Sequence, residues 1–246
     1  MKLSIRNPVL REVLKAIRHP VQKILLRGVY RRIEQLEYRS FNRRYYAVEQ
    51  LAEYLVGAQL TGDYLEFGVS QGATFIHAYR TMASLFTHMR FIAFDSFEGL
   101  PSPQGIDAQD GYSSHFFEGQ FACTEEQFRR NLRRAMVDLN RVGVVKGWFD
   151  QTLEPIRATS HGVTKVAAAW IDCDLYESTV PVLRYLNPRL TRGSVLLFDD
   201  WRCFRNHPDF GEQKAVGEWL GEESSLRLQK LFSFGWNGIA FTVTEC

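Results

Sequence analysis

Apolar residues at Val9, Leu10, Val13, Leu14 and Ile17, and again at Ile24, Leu25, Tyr30, Ile33 and Leu36, recur at the spacing of a helix with one buried face. His19-Pro20 separates the two runs, and a third helix is predicted over Tyr45 to Val56, ending near Gly57. From residue 63 the pattern changes. Short apolar runs, each closed by a glycine or an acid, alternate with helical periodicity: Asp63–Gly68, Arg90–Asp95, Val142–Lys146, Lys165–Ile171 and Gly193–Phe198 read as strands. Helices are predicted after Gly72, over 124–139, Thr179–Leu186 and 213–220, and Leu228–Phe234 with Gly238–Val243 reads as a hairpin around Gly235-Trp-Asn-Gly238. Strands buried on both faces and joined by helices make a doubly wound, mostly parallel α/β sheet with an antiparallel edge. The organisation expected is a helical extension over 1–57 and a ligand-binding α/β domain over 58–246.

No apolar run approaches the length of a membrane span, and Arg6, Arg11, Lys15 and Arg18 interrupt the N-terminus where a secretory signal would be continuous. Cys123, Cys173, Cys203 and Cys246 lie far apart, which argues against a disulfide scaffold or zinc ribbon and for a reducing cytoplasm. The net charge of +2 conceals an asymmetry: residues 1–46 carry twelve basic and three acidic side chains. That arm reads as a solvated helical face, a lid, or a contact in a homo-oligomer, and a nucleic-acid partner is not expected.

Ligands of such sheets bind beyond the carboxyl ends of the strands, so the residues just after each strand carry the chemistry. The first strand leads into Glu66-Phe-Gly-Val-Ser-Gln-Gly72, where Gly68 and Gly72 permit a tight turn and close approach. The segment lacks the full Gly-x-Gly-x-x-Gly fingerprint of dinucleotide sites, and Glu66 suits an ammonium group that a dinucleotide does not have. Asp95, 27 residues beyond Gly68, is placed to accept the ribose hydroxyls of an adenosine. Asp172-Cys-Asp174 and Asp199-Asp200 follow two further strands. Two acidic clusters at neighbouring strand ends suit a hard divalent cation such as Mg2+, the alternative being helix capping by Asp174 and Asp200. Residues 96–122 form a long loop with Phe97, Tyr112, His115, Phe116, Phe117 and Phe121, the composition of a lid or acceptor wall.

Five segments in order, Leu65–Gly72, Phe94-Asp-Ser-Phe-Glu-Gly-Leu-Pro101, Gly147-Trp-Phe-Asp-Gln-Thr-Leu153, Ile171–Thr179 and Gly193 to Asp200, resemble the macrocin O-methyltransferase (TylF-type) family across residues 45 to 243. The resemblance implies a Rossmann-like class I methyltransferase fold and transfer of a methyl group from S-adenosylmethionine to a hydroxyl of a sugar, polyol or glycosylated natural product, with Mg2+. It places Glu66, Phe67, Gly68, Val69, Ser70, Gly72, Thr74, Asp95, Ser96, Gly147, Trp148 and Asp172 at the cofactor. Asp172, Asp199 and Asp200 become the metal ligands and catalytic acids, with Asp172 a candidate base. Two positions depart from the pattern: Ala73-Thr74 stands where Gly-Ser is expected, and Trp201 where many relatives have Tyr. Other readings are a catechol-type small-molecule methyltransferase and a non-methylating, cofactor-binding or hydroxylase-associated relative.

Overall fold

The computed structural model describes residues 43–109, 116–154, 161–223 and 225–246. The chain divides into two compact units, Met1–Asn42 and Arg43–Cys246. The helices expected over Val9–Ile17 and Ile24–Leu36 lie outside the described residues, as do Tyr112 and His115.

Helix α1 spans 43–57 and buries Ala47, Val48, Leu51 and Leu55 in one stripe, in the same apolar cluster as Tyr64, Phe75 and Trp170. The expected boundary between residues 57 and 58 therefore falls inside the second unit. Then follow β1 (Asp63–Phe67), α2 (Ala73–Met82), β2 (Phe91–Asp95), α3 (Glu125–Arg134), β3 (Val142–Lys146), the single turn α4 (Phe149–Thr152), β4 (Val166–Ile171), α5 (Tyr176–Leu186), β5 (Val195–Phe198), α6 (Gly211–Glu222), β6 (Arg227–Phe234) and β7 (Gly238–Glu245).

The seven strands lie in the order β3-β2-β1-β4-β5-β7-β6. The first five pair in parallel, and β7 runs antiparallel between β5 and β6. Alternation along β1 shows how the core is split. Tyr64 faces the cluster that holds α1, α2 and α3, while Leu65 and Phe67 face the cluster of Ile171, Leu183 and Trp219 under α5 and α6. Strand β4, central and apolar throughout, is buried along its whole length. Strand β6 is an edge, and its exposed Arg227 and Lys230 discourage pairing with another chain.

The direction of strand order reverses between β1 and β4, which opens a crevice at their carboxyl ends. Backbone bonds close its floor: Gly68 N donates to Phe94 O and Asp172 N to Phe67 O, both at 2.9 Å. Among the described residues no helix is long and apolar enough to cross a membrane.

Candidate active site

At the end of β1 the chain turns through Gly68 (φ 84°), Ser70 (φ 43°) and Gly72 (φ 85°) before α2. Gly68 has no substitute there, since a Cβ would overlap the carbonyl oxygen of Asp172 across the crevice. Glu66 is buried and accepts a 2.7 Å hydrogen bond from the Tyr64 hydroxyl. Burial pushes its pKa well above the usual carboxylate range, with Asp172 adding repulsion. Such a carboxyl is poised to ionise when a cation arrives.

Asp95 at the end of β2 braces this turn. Its Oδ2 accepts Val69 N at 2.7 Å and Ser70 N at 2.9 Å, and its Oδ1 accepts Phe97 N at 2.7 Å. Three of roughly four acceptor positions of the carboxylate are thereby used. Asp95 thus positions the turn, a role the strand-end argument does not foresee, and Oδ1 keeps the acceptor capacity for a hydroxyl. Ser96 is buried in the next turn, accepting from Glu98 N and donating to Gly99 O, each at 3.1 Å. Gly147 N donates to Asp95 O at 2.9 Å, which sets Gly147 and the half-buried Trp148 beside the end of β2. Thr74 is buried in the first turn of α2.

The ends of β4 and β5 bring Asp172, Asp199 and Asp200 together, as the spacing predicts, and add two acids that it does not single out as ligands. Carboxylate oxygens of Asp172, Asp174 and Asp200 lie within 4.8 Å of one another. Glu212, in the first turn of α6, accepts Asp200 N at 3.1 Å through Oε2. Asp200 Oδ1 accepts from Cys203 Sγ at 2.9 Å and from Asn237 Nδ2 at 3.5 Å, tying the β6–β7 turn to the centre. Asp199 Oδ1, Asp200 Oδ2 and Glu212 Oε1 are buried with no hydrogen-bond partner. Arg44 of α1 pairs with Asp199 Oδ2, and its other terminal nitrogen lies 3.8 Å from Asp172 Oδ2.

Burial drives the acidity of these groups down. It pushes Asp172 up to about 7 despite the neighbouring Arg44 charge, with Asp200 adding repulsion. Asp174, Asp199 and Glu212 are held well above the carboxylate range, first by burial and then by the neighbouring Asp200 and Asp172. Unpaired buried carboxylate oxygens of this kind carry a large desolvation cost, which a coordinated cation removes. An all-oxygen donor set is that of Mg2+, Ca2+ or Mn2+, so the residues fit a hard divalent ion.

Helix capping does not explain the acids. The residue before α5 is Leu175, and the first amides of that helix, Tyr176 N and Glu177 N, bond Asp107 of the long loop at 2.9 and 3.1 Å. Asp174 itself adopts φ 59°, a left-handed conformation that turns the chain sharply after β4. Helix α6 is preceded by Phe210 and has no side-chain cap. The long loop also meets the glycine turn, Ser70 Oγ donating to Phe121 O at 3.2 Å, and leaves Phe117 and Phe121 exposed.

The comparisons with known proteins agree with this geometry. Residues 40–220 match the family described as macrocin O-methyltransferase (TylF). Demethyldecarbamoylnovobiocin O-methyltransferase of Streptomyces niveus is 29% identical over 166 residues, 65% of this chain and 60% of the relative. The 8-demethyl-8-(2,3-dimethoxy-alpha-L-rhamnosyl)-tetracenomycin-C 4'-O-methyltransferase of Streptomyces olivaceus is 31% identical over 164 residues, again 65% of this chain and 60% of the relative. The chain thus spans less than two thirds of the length of both. The solved structure of the O-methyltransferase NovP superposes with a TM-score of 0.66 at 26% identity, covering 82% of this chain and 80% of that one. The calicheamicin methyltransferase CalS11 shares the fold over 97% of this chain and 94% of its own, with a TM-score of 0.64 at 21% identity. The chain belongs to the macrocin O-methyltransferase (TylF) family.

Proposed function

We propose that this chain is an S-adenosylmethionine-dependent O-methyltransferase that methylates a hydroxyl of a sugar or glycosylated natural product, with a divalent cation at its acidic centre. The observation that carries the reading is the placement of buried, unpartnered carboxylate oxygens beside a glycine turn at the reversal of strand order. Asp172, Asp199 and Asp200 would hold the cation, with an oxygen of Asp174 within reach. A hard divalent cation there supplies the charge that favours the deprotonated form of a neighbouring hydroxyl.

The chain's own residues do the rest. Glu66 is the carboxyl for the cofactor's ammonium group, and the turn from Phe67 to Gly72 with Thr74 lets the backbone approach it. Asp95 and Ser96 fix the turn and offer an acceptor to the ribose, while Trp148 after Gly147 presents an aromatic face to the adenine. Methyl transfer is an in-line displacement, so alignment of sulfonium and nucleophile across the crevice is the main contribution. Asp172, whose side chain is 24% exposed, is also the candidate base for the proton of an acceptor hydroxyl.

The test is methyl transfer from labelled S-adenosylmethionine over a panel of rhamnosides, other glycosides and catechols, in Mg2+ and in excess chelator. Turnover on glycosides that disappears with chelator is expected. Full turnover in chelator would remove the cation, and a preference for catechols would overturn the acceptor class. In the same preparation, Asp95→Ala is expected to weaken cofactor binding by roughly 1.5–3 kcal/mol, the scale of charge-assisted hydrogen bonds. Titration calorimetry showing wild-type affinity would take Asp95 out of the site.

A further inference from the structure

Arg44 lies on α1, outside the five segments that carry the resemblance, yet its guanidinium reaches into the acidic centre. It pairs with Oδ2 of Asp199, a side chain with no exposed surface, and approaches Asp172 as well. The carboxylate oxygens that gather within 4.8 Å are those of Asp172, Asp174 and Asp200. Asp199 sits beside Asp172, with one oxygen held by Arg44 and the other buried without a hydrogen-bond partner.

We propose that Arg44 is an internal countercation that competes with a divalent ion for the acidic centre: seated on Asp199 it occupies a carboxylate oxygen that an ion would use, and it must release Asp199 for the ion to take it. The inference rests on the reading that the centre takes a divalent cation. Its physical basis is that a guanidinium and a divalent ion on the same buried carboxylates lie a few ångströms apart, where repulsion between like charges is poorly screened. Without the ion the guanidinium offsets part of the cost of burying several carboxyl groups together. With the ion that service is redundant, and the side chain, itself 30% exposed, has solvent to turn into. Two consequences of opposite sign follow. Removing Arg44 tightens ion binding and weakens the ion-free fold, whereas a residue that merely supported the site would lower both.

Mn2+ is the probe, followed by electron paramagnetic resonance in wild type, R44Q and R44K, with calorimetric binding of S-adenosylhomocysteine as the check on folding. R44Q is expected to bind Mn2+ about tenfold more tightly, within the usual range for coupled sites. In chelator it should melt below wild type, and saturating Mn2+ should close the gap. R44K keeps the charge but loses the planar fork, so its Mn2+ affinity should fall between the two. If R44Q does not fold without the ion, R44K against wild type carries the comparison in the same direction. Equal or weaker Mn2+ binding by the variants overturns the competition alone. No Mn2+ uptake by any of the three overturns the divalent-ion reading and this inference with it.

Discussion

Asp200→Asn is expected to lower methyl transfer by about a thousandfold, the scale seen when one preorganised electrostatic group is removed from a catalytic centre. The same substitution should leave affinity for S-adenosylhomocysteine close to wild type and raise the melting temperature of the chelated protein. The opposite signs have one cause. Asp200 is among the charges that repel Asp172, Asp174 and Glu212, so its removal relieves the ion-free fold while depriving a cation of a ligand. An asparagine oxygen can still accept from Cys203 and Asn237, so the local bonds survive. The effect also has a pH signature. The pKa of Asp172 stands near 7 in the fold, against about 3.9 in an unfolded chain. A group raised in this way contributes stability that is full below about pH 4 and is lost as pH rises through about 7. Chelated wild type should therefore melt lower at pH 8 than at pH 5, and Asp200→Asn should flatten that slope. Thermal melts in chelator that show the variant no more stable than wild type at pH 8 would contradict the account.

Much of this architecture is legible in the chain because the strands announce themselves. Five apolar runs end in Gly68, Asp95, Lys146, Asp172 and Asp199 or a residue beside them, and a parallel sheet puts all of those ends on one edge. Strand order is not legible, since nothing local distinguishes β4 from β2 as the neighbour of β1. Three features of the centre escape for related reasons. Asp174 sits in the Asp-x-Asp segment, but its position before α5 resembles a cap, and it is the helix amides' donation to Asp107 that shows it is not one. Glu212 belongs to a helix whose first turn reaches back to Asp200, a contact set by tertiary packing. Arg44 reads as one more charge of a basic arm, because α1 precedes the first strand and looks like an appendage. Its apolar stripe is visible, but the surface it covers is contributed by Tyr64, Phe75 and Trp170, far along the chain. Asp95 illustrates the converse. Its position follows from the spacing, yet its three backbone donors lie in two turns whose closeness depends on the β1–β2 register.

Gly68→Ala should cost about 3–7 kcal/mol of stability and abolish cofactor binding, a larger structural effect than any change among the acids. Gly68 has φ 84°, where a residue with a Cβ is strained by about 1–2 kcal/mol. The new methyl group would overlap the carbonyl oxygen of Asp172, which is backbone and cannot rotate aside. Relief requires β1 and β4 to part at the reversal of strand order, where Asp172 N bonds Phe67 O and Gly68 N bonds Phe94 O. Losing one or both bonds adds about 1 kcal/mol each, and the residual crowding about 1–3. For a domain of this size the sum corresponds to a fall in melting temperature of roughly 10–20 °C. Function fails through the same displacement, because it moves the glycine turn and the Asp172 side chain together. Gly217 is the control. It lies inside α6, where an added Cβ would meet no atom within 4 Å, so Gly217→Ala should stabilise by about 0.5–1 kcal/mol through helix propensity. Differential scanning calorimetry of the two variants, with S-adenosylhomocysteine titrations, decides the matter. A Gly68→Ala protein that melts with wild type and binds the cofactor product would mean that the ends of β1 and β4 are not in contact.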